Sequence, residues 1–135
     1  MKYFLNMVRR LLSLVCFLFF LGFTTAMAQA VVKFEKSIHD FGEIPKGKSV
    51  SYIFKFTNTG DQPLIINQAF PGCGCTVTDY TKEPIAPGES GEVKAVFNSD
   101  KDFPGKFQKS ITVRSNASNQ VVRLYIKGTI TAPEK

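Results

Sequence analysis

Beyond residue 30, apolar and polar positions alternate with a period of two along most of the chain. Val50, Tyr52, Phe54 and Phe56 alternate with Ser51, Ile53, Lys55 and Thr57, which predicts a strand with one aromatic face turned to a core. Val93, Ala95 and Phe97 repeat the pattern, and Val122, Leu124 and Ile126 repeat it again opposite Arg123, Tyr125 and Lys127. In Phe107, Ile111 and Val113 the same alternation is interrupted by Lys109. Shorter apolar pieces lie at Val31-Val32-Phe34, Phe41–Ile44, Leu64-Ile65-Ile66 and Thr76-Val77. No stretch of this region shows a helical period.

Turn chemistry separates these pieces. Pro45-Lys46-Gly47 and Asn58-Thr59-Gly60-Asp61 offer fixed and positive φ where the chain reverses. Pro84–Gly91 holds two prolines, whose missing N–H groups exclude a central strand. Ser115–Asn119 reads as a polar link between the last two strands. About seven short strands at this spacing predict an all-β, two-layer sandwich of the immunoglobulin-like kind.

The first 28 residues follow another rule. Lys2, Arg9 and Arg10 precede an apolar run from Leu11 to Phe23, and Ala26-Met27-Ala28 supplies small residues at alternate positions. This is the layout of a cleaved export leader, with processing expected between Ala28 and Gln29. The strongly apolar run is shorter than the roughly 20 residues that a spanning helix needs. Residues 1–28 are therefore expected to be a signal peptide and residues 29–135 one domain, exported to the periplasm or cell surface and not held in a membrane after processing.

Loss of the leader changes the charge. Three of the 17 basic residues leave and all 11 acidic ones stay, so the net charge falls from +6 to 14 minus 11, or +3. The remaining charges are scattered singly, without the clustering that a nucleic-acid surface requires.

One segment stands apart: Pro71-Gly72-Cys73-Gly74-Cys75-Thr76. Cys73 and Cys75 are the only cysteines beyond the leader, and side chains two apart in an extended chain share a side. Gly72 and Gly74 would let the backbone bend. Three chemistries stand open for the pair. In an exported chain it can close as a tight disulfide, bridging Cα atoms no more than about 6.8 Å apart, and such a ring would be comparatively easy to reduce. Paired thiolates suit a soft metal such as Cu(I), but two ligands do not complete a tetrahedral site. Alternatively the thiols simply pack.

Other chemistry is poorly supplied. His39 is the sole histidine, and Asp40, its neighbour, points to the opposite face of a strand. Asp100-Lys101-Asp102 lacks the further acids of a calcium loop and reads as a solvated turn. Asn116-Ala117-Ser118 fits the glycosylation acceptor pattern, of little weight in a bacterial chain. No catalytic residue, cofactor or resident metal is expected.

Phe41-Gly42-Glu43-Ile44, Phe56–Gly60, Pro63-Leu64, Cys73-Gly74-Cys75-Thr76, Pro84–Gly88, Ser115-Asn116 and Gly128 together resemble the family called domain of unknown function 1573. That family is similar to the immunoglobulin-like domains of the ASPM, SPD-2 and Hydin group. The resemblance runs from Phe34 to about Ile130 and implies an envelope or secreted location, often in Bacteroidetes-like bacteria, with no established activity. The expected function is a non-enzymatic binding or structural module of the cell envelope, meeting a protein or glycan partner through a strand edge or the Cys73–Cys75 loop. The alternative is a thiol-redox or soft-metal-handling protein.

Overall fold

The computed structural model describes residues 1–20 and 27–133. A helix, α1 (Lys2–Phe20), comes first. No helix among the described residues is long and apolar enough to cross a membrane. The end of the leader's apolar run and Ala26 of the processing motif lie outside the described residues.

Eight strands follow: β1 (Val32–Phe34), β2 (Ile38–Pro45), β3 (Ser49–Asn58), β4 (Ile66–Pro71), β5 (Thr76–Tyr80), β6 (Ser90–Asn98), β7 (Gly105–Ser115) and β8 (Val121–Thr131). They form two four-stranded sheets, ordered β1-β3-β6-β5 and β2-β8-β7-β4. The expected all-β sandwich is present. Its strands, eight among the described residues, compare with the roughly seven expected; β1 pairs antiparallel with β3, while β2 crosses to the other sheet and pairs parallel with β8.

The alternation explains the core. Phe54 and Phe56 from β3 and Val93, Ala95 and Phe97 from β6 point inward from the first sheet. Ile111 and Val113 from β7 and Leu124, Ile126 and Ile130 from β8 meet them from the second. Phe97 stacks on Phe107 with ring centroids 4.2 Å apart. Each such phenylalanine contributes roughly 2–3 kcal/mol by leaving water.

Glycines serve two purposes. Gly47 turns between β2 and β3 at φ 84°, as expected. Gly60 does not take positive φ; its role is room, since a Cβ there would overlap Gln29 O and fall 2.6 Å from Val31 N. The Pro84–Gly91 stretch is not wholly loop: Ile85 bridges Leu64, and β6 begins at Ser90.

Asn58, completely buried, organises one pole of the sandwich. Its Oδ1 accepts from Val31 N at 3.3 Å and Gly60 N at 3.0 Å. Its Nδ2 donates to Gln62 O at 2.6 Å and Ile85 O at 3.0 Å. At the opposite pole the buried Ser99 hydroxyl donates toward Pro45 O and Lys48 O and accepts from Lys48 N.

Candidate functional site: the Cys73–Cys75 turn and the outer face of one sheet

The Cys73–Cys75 turn connects β4 to β5, where the chain passes from one sheet to the other. The two cysteines are joined as a disulfide with Cα atoms 5.4 Å apart. Cys75 is buried, and Cys73 packs partly against the core. Thr76 is also buried, its hydroxyl 3.8 Å from Cys73 Sγ and 3.9 Å from Cys75 Sγ. Asn98 N donates to Cys75 O at 2.9 Å and Gly72 N to Ser110 O at 2.9 Å, so the turn is tied to both sheets. Pro71 ends β4 opposite Ile111. The glycines differ from expectation, for neither takes positive φ. A Cβ on Gly72 would fall 2.8 Å from Ser110 Oγ, whereas one on Gly74 would meet nothing. Space, not backbone freedom, distinguishes them. Among the described residues, no three His, Cys, Asp or Glu side chains group to hold a metal.

His39 and Asp40 diverge, as adjacent strand residues must. The His39 ring stacks on Tyr52 with centroids 3.6 Å apart, while Asp40 faces Lys127 at 3.7 Å. Burial and then Lys36 hold the His39 imidazole below its usual range, against a weaker opposing pull from Asp40. Asp100 and Asp102 do not form a simply solvated turn. A 3₁₀ turn spans Ser99–Lys101, and Asp102, its side chain only 19% exposed, pairs with Lys109 at 2.7 Å. Lys109 therefore points inward to reach a carboxylate, which explains the interruption in the β7 pattern. The Asn116 amide accepts from Ile65 N at 2.8 Å and donates to Pro63 O at 3.0 Å.

Three of the four edge strands, β1, β2 and β4, carry features that obstruct pairing with another chain. On β1, the Asn119 amide accepts from Val32 N at 3.1 Å and donates to Val32 O at 2.7 Å, standing in for a neighbouring strand. On β2, the register breaks between Asp40 and Glu43, where Gly42 takes φ 69°. On β4, Thr78 Oγ1 donates to Ala69 O at 2.6 Å and Tyr80 OH to Asn67 O at 3.0 Å. These are the devices by which sheets avoid pairing with strangers.

One surface left open is the outer face of the β2-β8-β7-β4 sheet. Strands β4, β7 and β8 contain no acidic residue. Cross-strand pairing sets Phe70 beside Thr112, Thr112 beside Arg123 and Arg114 beside Val121, and Tyr125 beside Ile38. The Arg114 guanidinium lies 5.6 Å from the Phe70 ring centroid. Phe70, Val121 and Ile38 are 40%, 55% and 51% exposed, so apolar and cationic groups reach solvent together. The acids of this sheet, Asp40 and Glu43, both belong to β2 and flank its other half. This face was missed in the sequence, although three strands free of carboxylates are visible there.

A family model described as "Protein of unknown function (DUF1573)" matches residues 32–130. No curated protein matches the chain in sequence. Among solved structures, the chain is similar to a protein of unknown function from Porphyromonas gingivalis W83, with a TM-score of 0.67 at 16% identity. The match covers 80% of this chain but 51% of that one, so the chain spans about half its length. It is also similar to the ASH / PapD-like domain 7 of human CEP192, with a TM-score of 0.61 at 12% identity over 84% of this chain and 94% of that one. The periplasmic chaperone SfaE gives a TM-score of 0.54 at 10% identity, with 77% and 59% covered. At such identities the likeness concerns the fold.

Proposed function

This chain belongs to the DUF1573 family, and from that premise we propose that it is an exported, non-catalytic module of the bacterial cell envelope that binds a protein partner with an acidic surface. The observation that carries this proposal is the Arg114, Arg123, Phe70 and Tyr125 face. Protein interfaces are enriched at their centres in arginine and aromatic residues and depleted in acids, and their hot spots favour tyrosine and arginine. A guanidinium also meets carboxylates through a planar fork that lysine lacks. Export is supported by the basic, apolar and small-residue order of the leader. The fold itself hosts many roles and adds no weight to one of them.

The experiment compares the chain with its Arg114→Glu/Arg123→Glu variant, both purified from the native envelope after in-cell cross-linking. The expected result is an acidic protein joined to the unaltered chain and at least tenfold depleted from the variant, with unchanged thermal unfolding. Equal recovery on both would overturn the assignment of this face. Recovery of a polysaccharide instead would overturn the choice of a protein partner.

The thiol-redox or soft-metal alternative would use the same Cys73–Gly74–Cys75 turn. Burial of Cys75 and the ties from Asn98 and Gly72 support a structural clasp between sheets more than a reagent offered to solvent.

A further inference from the structure

The domain takes hold of its chain at Gln29, the residue that processing after Ala28 would make the new N-terminus. Gln29 N donates to Asp61 Oδ1 at 2.8 Å, and Asp61 N returns a bond to Gln29 O at 3.1 Å. The next residues are held as firmly: Ser118 N donates to Ala30 O and Thr59 N to Val31 O, each at 2.9 Å. Ala30 is buried in the core. Gly60 admits this segment, since any side chain at that position would collide with it.

In the precursor, Gln29 N is an ordinary amide. Once the Ala28–Gln29 bond is hydrolysed, the same nitrogen becomes an α-ammonium, and its neighbour at hydrogen-bond distance is a carboxylate. Asp61 is also the only charged residue in residues 58–62 and 115–120, the two loops that receive the segment. The charged groups on adjoining elements are Glu89, whose carbonyl accepts from Asn58 N, Lys33 on β1 and Arg114 at the end of β7.

We infer that Asp61 is a built-in seat for the α-ammonium produced by processing between Ala28 and Gln29. The inference rests on the export proposal. Its chemistry is a charge-assisted hydrogen bond, shorter and stronger than the neutral one it replaces. It has a second consequence. A free N-terminal glutamine cyclises when its α-nitrogen attacks its own δ-carbonyl, forming a C–N bond while the side-chain amide C–N bond breaks and ammonia leaves. An ammonium held by Asp61 stays protonated and lacks the free electron pair that this attack needs, so the seat protects the terminus.

The test expresses the whole precursor in an exporting bacterium and purifies the product from the envelope. Mass measurement identifies the first residue, and an NMR titration follows the α-ammonium of Gln29. The expected product begins at intact Gln29, and its α-ammonium titrates above the ordinary range of about 7.7–8.0, raised by about half a unit or more by the adjacent carboxylate. Asp61→Asn, which keeps the acceptor oxygen but not its charge, restores the ordinary range and speeds cyclisation several-fold, whereas Glu89→Gln changes neither. A product that keeps the leader sinks both the export proposal and the seat, and a processed product that begins at another residue sinks the seat alone. A product beginning at Gln29 whose titration is ordinary and indifferent to Asp61→Asn, or whose mass is lower by one ammonia throughout, sinks the seat alone.

Discussion

At residue 58 one side chain replaces an extended set of backbone partners. Asn58, itself fully buried, satisfies two N–H groups and two carbonyls from three separate segments. Removing such a group strands its partners, at about 1–3 kcal/mol for each buried group left unsatisfied. Asn58→Ala is expected to lower stability by about 3 kcal/mol, measured by urea unfolding. Gly60→Ala should cost a comparable amount, because the overlap is with backbone atoms, which cannot rotate aside. Gly74→Ala serves as the control and should change stability by less than about 0.5 kcal/mol, the usual range for an open surface site. None of this weighting was legible in the sequence. Asn58-Thr59-Gly60 reads there as an ordinary turn, because the atoms it contacts lie at residues 29–31 and 85, distant along the chain.

Among the elements, the central strands were the most legible and the edges the least. The two-fold alternation in β3, β6 and β8 reports burial on one face, which a single strand encodes alone. By contrast, the assignment of β1 and β2 to different sheets depends on which partner each can reach, and neither Val31–Phe34 nor Phe41–Ile44 carries a local sign of it. Lys109 shows the same limit: it breaks the β7 pattern for a reason located at Asp102. The β4 edge offers a test of how the sandwich guards itself. Thr78→Val with Tyr80→Phe removes the two hydroxyls that cover Ala69 O and Asn67 O and leaves their shapes nearly unchanged. The double variant is expected to fold but to self-associate several-fold faster, followed by light scattering and thioflavin fluorescence, as an uncovered edge recruits strands. Scattering equal to that of the unaltered chain would show that β5 covers the edge by bulk alone.

For the whole molecule, acid stability depends on a carboxylate at the pole opposite the N-terminus. The hydrogen bond from Lys109 holds the Asp102 carboxyl below its usual range, helped by Phe103 N and opposed by partial burial. A carboxyl depressed in the folded state adds stability above its unfolded pKa of about 3.9, and the contribution disappears as pH falls through the lower folded value. Lys109→Met should therefore reduce stability by roughly 1–2 kcal/mol near neutrality. The gap to the unaltered protein should begin to narrow as pH falls through the unfolded range of about 4, and close only once pH passes the lower folded value of Asp102. A constant gap from pH 7 to pH 3, measured by denaturant titration, would assign the loss to packing instead.

The parallel pairing of β2 with β8 has a consequence in time. β8 lies inside its sheet, with β2 on one side and β7 on the other, yet among the described strands it comes last in chain order. Until residues 121–131 are in place, β2 has no partner in its sheet and β7 is joined to β4 alone, so the second layer cannot close over the first. Closure of the sandwich thus waits on a strand that is remote in sequence from the one it locks in place.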